Sequence, residues 1–148
     1  MPSVRKIPIE LVDSNADIFN SLTGEYPGFL SWIQKTKSDT ANRSAYVAGT
    51  NPGQYDAVAI VKLVDTDGPS SLHGVVSKIS TFKVAGGSTR KGLGAALLDR
   101  ILADTQADAL YLEIYPYHQE MIRWLQSKGF RIDAEPSPQG EFLLFRQF

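Results

Sequence analysis

Val76-Ser-Lys-Ile-Ser-Thr-Phe-Lys-Val84, Ala85-Gly-Gly-Ser-Thr-Arg-Lys-Gly-Leu-Gly94 and Ala95-Ala-Leu-Leu-Asp-Arg-Ile-Leu102 follow one another, and on them the fold turns. The first segment alternates as a strand does. The second is a glycine- and base-rich turn. The third is a helix that starts at that turn. A helix start leaves backbone N–H groups without partners, and its dipole points its positive end outward. Such a place suits a phosphate. Ser88, Thr89, Arg90 and Lys91 add hydroxyls and charge beside it.

Working outward, the helix of about residues 92–106 sets Leu93, Leu97 and Ile101 at helical spacing, with Ala96 beside them. Residues 109–115 form a strand in which Leu110, Leu112 and Ile114 alternate with Tyr111, Glu113 and Tyr115. A helix over 118–128 closes at Gly129. A short strand at 130–133 and a final one at 141–148 follow. Upstream, 6–12 reads as a strand, with a helix N-cap at Asp13-Ser14-Asn15 and a short helix to about Leu22. A second helix over 27–37 sets Phe29, Leu30 and Ile33 on one side. Strands at 45–48 and 56–64 flank the turn Asn51-Pro-Gly53, and Asp65 to Ser71 is a polar turn. The order predicts one mixed α/β domain over residues 1–148, with a sheet that is mostly antiparallel at first.

Composition narrows the function. A chain of 148 residues has room for a core without staples. The net charge of −1 gives no global pull toward nucleic acid or acidic lipid, so neither is an expected partner. The basic residues Lys78, Lys83, Arg90 and Lys91 cluster locally, which fits a small polyanion. No cysteine is present, which removes disulfides and a Cys nucleophile. His73 and His118 stand far apart, so no metal site is expected. The first residues lead into a short amphipathic run, and no stretch has the length of a membrane span, so a cytoplasmic protein is expected.

Two phosphate-loop patterns fail on this turn. A Walker loop needs Gly-Lys-Ser/Thr, whereas Lys91 precedes Gly92 and no Ser or Thr follows. A dinucleotide fingerprint needs Gly-x-Gly-x-x-Gly directly after a strand, but Leu97 stands at the third glycine. An exposed turn with a solvated helix start is the plain alternative.

The neighbourhood decides between them. A strand, Arg-Lys-Gly-Leu-Gly-Ala, a helix, a strand carrying Leu-Glu-Ile, and a helix ending in Lys-Gly-Phe together resemble the core of the GNAT superfamily of N-acetyltransferases over about Ile79 to Phe130. The resemblance implies a six- to seven-stranded sheet flanked by about four helices, with splayed central strands. It also implies acetyl-CoA as cosubstrate. The family signature is Gln/Arg-x-x-Gly-x-Gly/Ala, whose backbone N–H groups hold the pyrophosphate. Gly92 and Gly94 match its glycines, Thr89 stands where Gln or Arg is usual, and Arg90, Lys91, Leu93 and Ala95 complete the loop. The pantetheine arm would lie along the backbone of Phe82, Lys83 and Val84, where one N–H polarises the thioester carbonyl.

Acetyl transfer to an amine has a proton to dispose of. With a pKa near 10.4, only about one lysine-like amine in a few thousand is neutral at pH 7. Glu113, at the family's Leu-Glu-Ile/Val position, is the candidate base; its plain alternative is an ion pair with Arg123 or Lys78. The family's frequent thiolate-protonating Tyr is Leu125 here, and its frequent Asn is His118. Tyr115 shares parity with Glu113 and is the substitute acid, with Tyr117 and His118 nearby. Tyr26, Phe29 and Trp32 are expected in the core, or as an aromatic wall for the acceptor, and Trp124 in the core against Phe130 and Leu110. The expectation is thus a ternary-complex N-acetyltransferase, monomer or homodimer, acting on a small-molecule or peptide amine. A CoA-binding module with weak or lost catalysis is the alternative, favoured by Leu125 and Thr89. An interaction domain using strand 142–148 is a third.

Overall fold

The computed structural model describes residues 4–49, 54–69, 71–86, 92–133, 137 and 140–148. Among them run the strands β1 (Val4–Pro8), β2 (Arg43–Ala48), β3 (Ala57–Lys62), β4 (Val76–Val84), β5 (Ala109–Ile114), β6 (Arg131–Ile132) and β7 (Phe142–Gln147). The helices are α1 (Asn20–Glu25), α2 (Phe29–Thr36), α3 (Leu93–Asp104) and α4 (Gln119–Ser127). The strands form one sheet in the order β1-β2-β3-β4-β5-β7-β6. Neighbours pair antiparallel in β1–β2, β2–β3, β5–β7 and β6–β7, and parallel in β4–β5. This is the mixed, mostly antiparallel sheet expected. The parallel register runs from Val76↔Ala109 to Lys78↔Tyr111, whereas β4 continues to Val84 and β5 to Ile114.

The chain divides into two compact units, Met1–Lys62 with Thr81–Thr105, and Leu63–Ser80 with Gln106–Phe148. In the first, β2 and β3 bury residues on both faces. Ala45, Val47, Val58 and Ile60 pack with Ile9, Phe19, Phe29 and Ile33 from the N-terminal turns and α2. The opposite parity presents Tyr46, Ala57 and Ala59, and α3 packs on these strands. The Tyr46 hydroxyl donates to Asp104 at the end of α3, 3.1 Å away. Arg100 holds the same carboxylate at 3.1 Å and donates to the Val4 carbonyl, so α3 is tied to β1 as well.

In the second unit β5 is the central strand. Val76, Ala109 and Tyr111 share one face with Leu72, covered in part by Leu143 and Phe145. Leu110, Leu112, Ile114 and Leu144 are buried with the other parity, as are Ile122 and Leu125 of α4. Gly129 ends α4 at φ +92°, the left-handed conformation that closes a helix without a Cβ penalty.

The N-terminal segment differs from expectation. The strand expected over 6–12 stops at Pro8, and Ile9–Leu11 is a 3-10 turn. Ile9 and Val12 are buried while Leu11 is exposed, so burial there follows a three-residue period and not two. Asp13 does not start a helix: its carboxylate accepts the Asn15 N–H at 3.0 Å, which makes a local turn, and helix begins only at Asp17–Phe19. In α2 the buried residues are Phe29, Ile33 and Thr36, while Leu30 points outward, one residue off that stripe. Among the described residues no helix is long and apolar enough to cross a membrane.

Candidate functional site

The start of α3 supplies the expected backbone donors. Gly92 precedes the helix at φ +75°, and a Cβ placed there would meet open space, so glycine is required by backbone conformation and not by crowding. The Ala96 N–H donates to the Gly92 carbonyl at 3.0 Å, the first bond of the helical ladder. The amides of Leu93, Gly94 and Ala95 therefore lie ahead of that ladder. Leu93 is buried and anchors the turn, while Gly94 and Ala95 are half-buried. With twelve residues behind it, the helix has a developed dipole at this end. Thr89, Arg90 and Lys91 lie outside the described residues, as do Gly87 and Ser88.

The same unit holds the far end of β4. Phe82, Lys83 and Val84 are half-buried there. The strand is fixed just beyond them, where the Ala85 N–H donates to the Asp56 carbonyl at 2.9 Å and Ala85 packs on the core. An aromatic group fills the core of this unit. Phe29 lies between Phe19 and Trp32, with ring centroids 5.6 Å apart in each case. Tyr55 meets Phe19 edge-on, Arg43 sits over Trp32, and Tyr26 packs on the same cluster. The core reading of Phe29 is thus the one observed, and Tyr26 and Trp32 flank it, partly buried.

Glu113 sits in the second unit on β5, with a side chain 22% exposed, and Lys78 Nζ of β4 lies 2.9 Å from its Oε1. Of the expected plain partners, Lys78 is therefore the one the structure shows. Lys78 also lies 5.6 Å from the centre of the Tyr111 ring. Tyr111, two residues before Glu113 on the same face, donates its hydroxyl to the buried carboxylate of Asp65. Burial chiefly, then the Asp65 hydrogen bond and charge, with Glu113 and Asp67 adding, push the Tyr111 phenol well above its usual value. Sequence reasoning missed Asp65 and Tyr111. Tyr111 shares the strand parity of Glu113 and Tyr115, the one signal in the sequence that points to it.

Tyr115 follows β5, which ends one residue earlier than expected. Its ring stacks on Tyr117 at 5.5 Å and 12°, and Tyr117 meets His118 at 4.5 Å, so the three candidate acids are neighbours in one turn. Leu125 is fully buried, and Trp124 beside it is only half-buried, less than a core position would be. Among the described residues no group of three or more His, Cys, Asp or Glu is placed to hold a metal ion.

No protein-family model matches this sequence, and no curated protein does. Solved structures do. The chain is similar along its whole length to an IAA acetyltransferase from Bacillus cereus, with a TM-score of 0.70 at 15% identity and 100% of each chain covered. It is similar to PaiA N-acetyltransferase from Thermoplasma acidophilum in complex with coenzyme A, with a TM-score of 0.68 at 14% identity, covering 100% of this chain and 99% of that one. An acetyltransferase of the GNAT family from Staphylococcus aureus Mu50 gives a TM-score of 0.66 at 14% identity over 98% and 99% of the two chains. The fold is that of the GNAT acetyltransferases.

Proposed function

We propose that this chain moves an acetyl group from acetyl-CoA to a primary amine by direct attack in a ternary complex. The observation that carries the reading is the α3 start: a left-handed Gly92 followed by three amides ahead of the helical ladder, on a chain with this fold. Leu93, Gly94 and Ala95 bind the diphosphate through those N–H groups. Thr89, Arg90 and Lys91 supply the preceding turn. The backbone of Phe82, Lys83 and Val84 takes the pantetheine and polarises the thioester carbonyl.

The chemistry needs two protons moved. Glu113 takes one from the ammonium, directly or through a water, which frees the nitrogen lone pair. That lone pair attacks the carbonyl carbon, the C–S bond breaks, and the thiolate leaves with the electron pair. The second amine proton goes to the thiolate, with Tyr115 as its donor and the new amide nitrogen as the ultimate source. A thiol with a pKa of roughly 8.5 departs as an anion without much help, so a weak acid suffices.

Leu125 favours a second reading, a CoA-binding module with little turnover, because the position resembling the family's acid is apolar and fully buried. Titration calorimetry with acetyl-CoA beside a free-thiol release assay over an amine panel tests both. Binding with thiol release on one amine is the expected result. Binding without release over the whole panel supports the module, and no binding at millimolar coenzyme refutes both. For the base, Glu113→Gln is expected to depress turnover at neutral pH and to recover at high pH. A profile like that of the unaltered protein removes Glu113 from the mechanism.

A further inference from the structure

We infer that Lys78 is a positioning residue for Glu113 and that the ring of Tyr111 holds Lys78 in place; this rests on the reading of Glu113 as the base. Lys78 and Tyr111 form the last rung of the β4–β5 ladder, so their side chains leave the sheet on one face at the point where pairing stops. Glu113, two residues on, projects from that face. The lysine ammonium lies over the ring of Tyr111, 5.6 Å from its centre, and reaches the carboxylate at 2.9 Å.

The ring is itself fixed. Its hydroxyl is bound to Asp65, and Asp65 is locked by its own N–H on the Val76 carbonyl at 2.8 Å and by the Asp67 N–H on its carboxylate at 3.3 Å. The turn at Gly68 lies against the ring edge: a Cβ there would stand 3.4 Å from Tyr111 Cε1, in ordinary van der Waals contact. Asp65, Tyr111, Lys78 and Glu113 therefore form a series of supports, all within one compact unit, that ends at a carboxylate.

An ion pair with both members partly exposed contributes little to stability. Its consequence here is orientation. A glutamate has three side-chain torsions, and a base must meet the proton within hydrogen-bond reach to be effective. Lys78 selects one arrangement of that carboxylate before the acceptor arrives, which is preorganisation of the reacting groups.

Steady-state kinetics on the full chain test this. Lys78→Met is expected to lower kcat roughly tenfold with the KM for acetyl-CoA within about twofold, a loss bounded by the hundredfold or more that a general base contributes. Lys78→Arg, whose guanidinium also reaches the carboxylate, is expected to restore most of the rate. In a Glu113→Gln background Lys78→Met is expected to add no further loss, because the group it orients no longer acts. Lys78→Gln serves as the test variant if melting curves show Lys78→Met unfolded. A fully additive double variant, an unaltered kcat in Lys78→Met, or a Lys78→Arg as slow as Lys78→Met overturns the inference. If Glu113→Gln is slow while Lys78→Met is not, only the positioning role falls. If Glu113→Gln turns over normally, the base reading falls and takes this role with it.

Discussion

Replacing Ala95 by Glu sets two effects of one charge against each other. Ala95 is the third residue of α3, half-buried, and its amide lies ahead of the helical ladder. A carboxylate in a first helical turn interacts favourably with the dipole by about 0.3–1 kcal/mol. The same carboxylate stands where the diphosphate is proposed to bind. Two like charges about 4 Å apart repel by about 1 kcal/mol in water and more near a protein surface. Against a diphosphate, whose charges salt screens and only one of which stands that near, the penalty is roughly 1–2 kcal/mol, or about 5- to 30-fold in Kd. Ala95→Gln has nearly the same shape without the charge and serves as reference. Relative to it, Ala95→Glu is expected to melt slightly higher without ligand and to bind CoA 5- to 30-fold more weakly by calorimetry. The gap in Kd narrows as salt rises, because the repulsion is screened. Equal CoA affinity for the two variants, at low salt and with both folded, refutes a diphosphate site at this helix start. Tighter binding by Ala95→Glu refutes it more strongly.

Two further outcomes follow from the packing. Tyr46 and Tyr111 have phenols raised above the ordinary value near 10, Tyr46 by burial first and then by the charge and hydrogen bond of Asp104 against a smaller opposing effect of Arg100. Their stabilising effect is intact below the unfolded value and is lost as pH climbs above about 10, at up to about 1.4 kcal/mol per pH unit for each phenol. Urea melts from pH 8 to 11 are expected to show Tyr46→Phe falling less steeply than the unaltered chain; equal slopes refute the assignment. Leu125→Tyr, which would install the side chain usual at the resembling position, is expected to destabilise by about 1–3 kcal/mol through overpacking, since Leu125 is fully buried. A Leu125→Tyr variant that melts normally and turns over faster would show instead that the position opens to the reacting groups.

The central stretch was legible because local chemistry and tertiary packing ask for the same thing there. Gly92 needs positive φ, Leu93, Leu97 and Ile101 need one helical face, and alternation in 109–114 puts Glu113 opposite Leu112 and Ile114. The N-terminal segment was not legible in the same way. Ile7, Ile9 and Leu11 alternate as a strand would, yet tertiary contacts bury Ile9 with Val12 and turn the chain after Pro8. Leu30 looked equivalent to Phe29 and Ile33, but a short helix buries a narrow stripe, and the third member of that stripe is the polar Thr36, whose hydroxyl donates to the Ile33 carbonyl at 2.6 Å. A polar residue satisfied by its own helix leaves no apolar signal.

The candidate site divides along the same line. Backbone donors are announced by glycine and by helix periodicity, which a single sequence displays. Side-chain roles depend on which long-range partner arrives, and a sequence displays only the parity of each candidate. Parity placed Tyr111, Glu113 and Tyr115 together, but it could not say that Asp65, 46 positions away in sequence, would take the Tyr111 hydroxyl. Nor could it say which cation would meet Glu113, since Arg123 and Lys78 both had the charge. The strand register settles that choice: Lys78 ends the ladder directly opposite Tyr111, one diagonal step from Glu113. The carboxylate proposed as the base thus has a cation beside it, and its proposed role turns on orientation as much as on proton affinity.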